Sequence, residues 1–473
     1  SYHYENGKKW DKAANYYYIK GKWEINNYSN ESAIKSLKQA TKIIDDNIIN
    51  KPDYNWKIYN DLGEVYTRIG ENNKAIRSFK KALEYNISNI DKSKIYLNYA
   101  DVLFNTSEYD EALNFISKAK SIIPLKSIEM LDILYSEIYL YQFKGDIDAA
   151  LDLLNKRYEI TYSLSDSINY IKKREMEGSN YAIMGNIAEH KRKYREALEN
   201  FEKAIEIFKE INDIASLSVV YNNVSQIYLS LGWISKTIDS YEKSIKIDLL
   251  RGNKLGEATG YFNIGDTYIF LNALSKAKRY IKKCVDLNAL INNISGDAYT
   301  NMGMGDICLI EKKYDKALEY YIKSANIFSK IGANYLYLFT RISQAKVHIK
   351  TGNYRKVENI IKETSNDIKK YSDLQFEIKN LNIEMLSDKG EYKQAIKQYI
   401  DQCNILEKEQ FLDELLFLYS KITILSKNRI NEIYTAYLNK GKILLERILA
   451  GIDNDKLEKQ FMKREELRCF LNE

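Results

Sequence analysis

The strongest constraint on this chain is an internal repeat. Ala197, Thr237, Ala277, Ala317 and Val357 stand 40 residues apart. Each is followed four positions later by a large side chain: Phe201, Tyr241, Ile281, Tyr321 and Ile361. A second series, Gly185, Ser225, Gly265, Gly305 and Ala345, keeps the same 40-residue step. Large residues three and four positions apart make one apolar stripe on a helix, and a small residue on the partner helix lets the two backbones approach. Turn clusters such as Leu231-Gly232-Trp233 and Thr351-Gly352-Asn353-Tyr354 lie between the two series. Each unit reads as a helix–turn–helix that buries its apolar face only by stacking on its neighbours.

Composition agrees with an all-helical array. There are only two prolines, Pro52 and Pro124, in 473 residues, so nothing interrupts long helical runs. Tyrosine is abundant at 40 residues. It suits half-buried helix positions, where the ring packs and the hydroxyl reaches water. The 71 basic and 65 acidic residues leave a net charge of +6, too diffuse for the concentrated basic face that nucleic acid requires. Cys284, Cys308, Cys403 and Cys469 lack metal-ligand spacing and read as small core residues. No disulfide framework is implied, and no apolar run is long enough to span a bilayer, so a cytoplasmic location is expected. The chain opens at Ser1, inside a helical pattern, which reads as a fragment of a longer protein.

An earlier copy of the repeat reads Tyr59-x2-Leu62-Gly63-x2-Tyr66, followed by Ala75-x3-Phe79 and Ala82. Later copies read Tyr221-x2-Val224-Ser225-x2-Tyr228 and Tyr261-x2-Ile264-Gly265-x2-Tyr268. Less regular copies begin at Ala33, Ala112, Ala150 and Ala395. Over residues 29–405 these segments resemble the tetratricopeptide repeat, W-x2-L-G-x2-Y then A-x3-F then P, with Tyr in place of Trp and the closing Pro nearly absent. The resemblance implies a right-handed all-α solenoid of about ten helix pairs. The step exceeds the family's usual value of about 34, so longer helices or longer loops are expected.

The expected organisation is a helical lead-in over 1–28, a first repeat block over 29–162, and an irregular insertion or long helix extension over 163–178. Regular repeats over 179–405 and capping or coupling helices over 406–473 follow. The opening residues His3-Tyr4-Glu5-x-Gly7-x2-Trp10-Asp11-Lys12-Ala13-Ala14-x-Tyr16 resemble the start of the tetratricopeptide region in bacterial signalling ATPases similar to the maltose-regulon activator. That resemblance implies a sensor region joined to an output module. The phosphate-binding G-x-x-x-x-G-K-[ST] is absent from this chain.

Catalysis is not expected. His3, His190 and His348 have no partner set by sequence, and Gly303-x-Gly305 reads as helix packing rather than a phosphate loop. No metal or cofactor is expected either. The residue after each small position forms a row: Glu64, Asp101, Asn186, Gln226, Asp266, Asp306 and Lys346. In this repeat class that position faces the concave surface, so the row is the candidate binding groove for a protein, a peptide or a small effector. Asn60, Asn98, Asn222 and Asn263 stand on the same helices and join it. The plainer reading is that all of these solvate the inner wall. The expected function is a non-catalytic binding or sensing region of a larger signalling or transcription-regulatory protein. A peptide-pheromone receptor, whose family uses groove asparagines, and a passive assembly scaffold are the alternatives.

Overall fold

The computed structural model describes residues 9–47, 52–106, 108–164, 168–369, 371–407 and 412–471. Among them are 24 α-helices and no strand. The first helices are α1 (Trp10–Asn26), α2 (Asn30–Asp46), α3 (Pro52–Arg68), α4 (Asn72–Leu83), α5 (Asn89–Asn105), α6 (Tyr109–Ser121), α7 (Ile128–Lys144) and α8 (Ile147–Ser163). Then come α9 (Tyr170–His190), α10 (Tyr194–Glu210), α11 (Ile214–Ser230), α12 (Ile234–Arg251), α13 (Lys254–Phe270), α14 (Leu274–Ile291), α15 (Ile294–Ile310) and α16 (Tyr314–Lys330). The last are α17 (Asn334–Lys350), α18 (Tyr354–Ile368), α19 (Ser372–Asp388), α20 (Tyr392–Leu406), α21 (Leu412–Ser426), α22 (Asn431–Leu449), α23 (Asp455–Phe461) and α24 (Arg468–Leu471). From α1 to α22 the helices pack as successive hairpins, each stacked on the next.

The 40-residue step comes from the helices, not from long loops. In the regular region each helix spans 17 or 18 residues. A tight turn with one left-handed residue closes it. Arg192, Asn212, Gly232, Gly252, Asn272, Asn292, Lys312, Gly332 and Gly352 all have positive φ and follow one another every 20 residues. Asn and Gly adopt that conformation at low cost.

The two periodic series meet in the core. Ala197, Phe201, Thr237, Tyr241, Ala277, Ala317, Tyr321 and Val357 are all buried. A side chain added at Gly63 would strike the ring of Phe79, at Gly185 that of Phe201, and at Gly305 that of Tyr321. The partner lies 16 positions on in each case, so the glycine of the first helix always receives the large residue of the second. Tyr181, Tyr221 and Tyr261 take half-buried positions outside this seam. Lys203, Lys243 and Lys283 lie over Tyr181, Tyr221 and Tyr261, at 5.3, 5.8 and 4.7 Å from the ring centroids. A lysine stem thus covers an equivalent ring in three consecutive repeats.

Residues 170–178 form the first half of α9, a helix of 21 residues. Arg157 is buried beneath it, donating to the Leu131 carbonyl at 3.2 Å and to the Asn180 side chain.

Successive turns of the superhelix touch. Asn30 bonds the Arg251 carbonyl 221 residues away, and Asn72 reaches the Ile291 carbonyl 219 residues away. The amide of Asp453 bonds the Ser235 hydroxyl across 218 residues. Phe270 and Phe461 pack with centroids 5.4 Å apart, and Lys312 pairs with Glu465 at 3.3 Å. The three hydrogen bonds share an offset of 218–221 residues, so one superhelical turn there takes roughly five and a half repeats, while the contacts of Phe461 and Glu465 at the C-terminal end close over a shorter stretch.

Candidate functional site

The inner wall of this coil is built from the first helix of each pair. Its amides hydrogen-bond from one repeat to the next. Asn98 donates to Asn60 and to Glu64, both at 3.0 Å, while Asn60 donates to Glu64 at 2.7 Å. The same relationship recurs further on, where Asn263 donates to Asn222 at 2.9 Å. Asn222 in turn donates to Asn223 at 3.4 Å, and Asn223 to Asn186 at 2.9 Å. The asparagines therefore form two short ladders along the wall.

The remaining row members differ in what holds them. Gln226 donates to the hydroxyl of Tyr241. Asp306 accepts a 2.6 Å bond from Tyr321. Lys346 pairs with Glu377 at 2.8 Å. Asp101 and Asp266 have no hydrogen-bond or ion-pair partner among the described residues. Crowding by the wall raises their carboxyls, to about 7 for Asp101 and about 6 for Asp266. Asp306 is raised to about 7 by the same desolvation, against the Tyr321 bond that lowers it. Glu189, one helical turn beyond Asn186, is also raised to about 7 by desolvation alone. Asp101 is exposed to water, so its shift reflects enclosure within the coil rather than burial in the core.

Two aromatic residues and a continuation of the row were not singled out from the sequence. Tyr139 is pushed up to about 12, first by desolvation and then by the nearby Tyr135, Asp101 and Tyr109. Tyr299 is raised by desolvation and by Tyr109 and Tyr139, which brings α15 close to α6 and α7. Beyond Lys346 the row goes on through Glu384 and Lys421, which form an ion pair. Lys346, Lys350 and Lys421 together hold the Glu384 carboxyl low against its burial. The signal was present: Glu384 follows Ile383 and Lys421 follows Ser420, each one residue past the packing position. The step had merely shortened.

The histidines do not converge on the wall. His190 is exposed at the end of α9, and His348 is buried in α17 with its pKa lowered by desolvation and then by Lys356 and Arg341. His3 lies outside the described residues. Cys284, Cys308 and Cys403 are buried and Cys469 is half-buried, all as free thiols. Among the described residues no helix is long and apolar enough to cross a membrane.

Comparison with known proteins settles the repeat class. A family model described as tetratricopeptide repeat matches residues 179–210, 219–249 and 258–289. The chain carries tetratricopeptide repeats. Those three segments each contain the buried small and large residues of the 40-residue series. A second model, 26S proteasome subunit RPN7, matches residues 20–130 of the tetratricopeptide array. Curated proteins give no match. Among solved structures, a Rap protein complexed with competence and sporulation factor is similar with a TM-score of 0.57 and 12% identity, over 77% of this chain and 100% of that one. The apo quorum sensor NprR from B. thuringiensis has a TM-score of 0.46 and 15% identity, over 76% of this chain and 99% of that one. A signal transduction ATPase with numerous domains and a tetratricopeptide repeat sensor, from Pyrococcus horikoshii, has a TM-score of 0.40 and 20% identity. That match covers 73% of this chain and 51% of the ATPase. Identities this low show likeness of fold alone.

Proposed function

We propose that this tetratricopeptide array is the partner-binding sensor region of a larger signalling or transcription-regulatory protein, gripping an extended polypeptide along its inner wall. The observation that carries the reading is the pair of carboxylates, Asp101 and Asp266, which stand on the row with no hydrogen-bond or ion-pair partner among the described residues. The half-buried Asp266 carboxylate is costly to ionise until a cation or hydrogen-bond donor reaches it. A segment carrying Lys or Arg supplies that charge. The Asn60–Asn98 and Asn222–Asn263 pairs add fixed amides at regular spacing, suited to the backbone of an extended chain. The coupling to an output module would be through curvature: a partner that fits one spacing of the turns better than another shifts the coil toward it.

The test is fluorescence polarisation with labelled basic, neutral and acidic decapeptides. Basic peptides should bind, and Asp266→Lys with Asp306→Lys should abolish that binding while helicity by circular dichroism is kept. Equal binding of acidic peptides, or undiminished binding by the double variant, would sink the proposal. The peptide-pheromone reading shares the asparagine ladders as its support. It predicts instead that Asn222→Ala and Asn263→Ala weaken binding more than the charge reversals do.

A further inference from the structure

A cavity of about 540 Å³ opens between α17, α19, α20 and α21, at the C-terminal end of the inner row. Its size falls in the range of roughly 300–1,000 Å³ typical of small-ligand sites. Tyr399 lines it and is fully buried, yet its hydroxyl has no hydrogen-bond partner among the described residues. A buried hydroxyl left unpaired is unusual and asks for a partner. Two opposite charges stand at the rim. Lys350 is exposed and makes no ion pair among the described residues. Asp388 is exposed, and its one hydrogen bond there is the 3.0 Å bond it accepts from Tyr354. Of the other two charges in the lining, Glu384 pairs directly with Lys421 and also feels Lys350 through space. Ile349, Ile424 and Leu425 give the wall an apolar patch beside Gly352, Tyr354 and Ser387, and Ile424 is 48% exposed.

We propose that this cavity binds a zwitterionic ligand with an apolar side chain, that is, an amino acid or a short peptide. Lys350 receives the carboxylate and Asp388 the ammonium. The Tyr399 hydroxyl donates to a ligand oxygen deeper in the cavity, and Ile349, Ile424 and Leu425 cover the apolar side chain. The volume exceeds what one residue fills, which favours a dipeptide or tripeptide over a single amino acid. The cavity continues the inner row, sharing Glu384 and Lys421 with it, but its ligand contacts Lys350, Asp388 and Tyr399 are not among the carboxylates and amides that would hold a basic segment.

The experiment is thermal denaturation and titration calorimetry on the full chain. The probes are leucine, phenylalanine, Leu-Leu and Ala-Phe, each beside its N-acetylated and C-amidated forms. At about a hundredfold excess over Kd the zwitterionic probes should raise Tm by about 2–3 °C. Blocking either end should weaken binding about tenfold. Comparing amino acids with dipeptides identifies the source of the ligand. Tyr399→Phe and Lys350→Gln should each weaken binding about tenfold. Tyr399→Phe should leave the unliganded Tm equal or higher, because it deletes an unpartnered hydroxyl. No stabilisation by any zwitterionic probe overturns the proposal, as does equal binding of the doubly blocked forms or wild-type affinity in both variants.

Discussion

The side-chain amide of Asn30 donates a 2.9 Å hydrogen bond to the backbone carbonyl of Arg251, one superhelical turn further along the chain. Its carbonyl oxygen accepts from Arg68 at 3.1 Å, so the same side chain ties α2 to α3 and to the turn after α12. Gly70 presses on Ile291 nearby, with room for no Cβ and a φ of +80°. These contacts fix the pitch of the coil and with it the width of the inner wall.

Loosening that seam should open the coil without unfolding it. Asn30→Ala removes the bond to Arg251, and Gly70→Val drives a side chain into Ile291. Small-angle scattering of the double variant should give a larger radius of gyration at unchanged helix content. A repeat array keeps its nearest-neighbour contacts when distant ones are lost. An unchanged radius would mean that the turns are held together by something other than this seam.

The packing glycines and the turn glycines should respond differently to the same substitution. At Gly305 a Cβ would sit 2.6 Å from the Tyr321 ring, in a buried seam. Overpacking of this kind costs about 1–3 kcal/mol, so Gly305→Ala should lower stability by that amount in urea denaturation. At Gly352 nothing lies within 4 Å, and only the φ of +72° opposes a side chain. Gly352→Ala should cost about 1 kcal/mol, the usual penalty for a left-handed residue other than glycine. If Gly352→Ala proved the more damaging, the close approach of α15 and α16 would not be what the small residue serves.

This contrast shows what could be read from residues alone. Gly305 and Tyr321 were legible because burial repeats with the hairpin, and every hairpin solves the same packing problem. The polar row was legible as far as Lys346 for the same reason. It was lost at Glu384 and Lys421 because the step contracts to 38 and then 37 residues. The Asn30–Arg251 contact was invisible, since it depends on small rotations summed over several repeats and not on any local pattern. Tyr399 was invisible too: a missing partner leaves no mark in a sequence.

The asparagine ladders allow a direct measurement of coupling between repeats. Asn98 gives its amide to both Asn60 and Glu64, and Asn60 is buried. Asn60→Ala should cost about 1–3 kcal/mol, because it leaves part of a buried network unpaired. Asn98→Ala should cost less once Asn60 is already gone. A double-mutant cycle in denaturant should return a coupling of about 0.5–1.5 kcal/mol. A coupling indistinguishable from zero would make these amides independent wall residues and remove the ladder as a preformed frame.

The crowded carboxyls set a pH dependence whose sign can be worked out. Asp306 has its pKa raised from 3.8 to about 7 in the folded protein, chiefly by desolvation. Between those values the folded state holds a proton that the unfolded state has lost, so its contribution to stability falls as pH rises and levels off above about 7. Asn cannot ionise, and its side-chain oxygen still accepts from Tyr321. Relative to wild type, Asp306→Asn should therefore gain stability as pH rises from about 5 to about 8, by on the order of 1 kcal/mol once screening by water in the bore is allowed for. Asp266→Asn should follow the same sign with a lower midpoint, because its carboxyl is raised only to about 6. A bound basic segment would reverse the balance, since its cations favour the ionised carboxylates and lower their pKa. Binding of a basic peptide should accordingly weaken below about pH 6 in wild type and lose most of that pH dependence in the doubly substituted protein. A peptide affinity that stays flat across this range would separate the carboxylates from the binding surface.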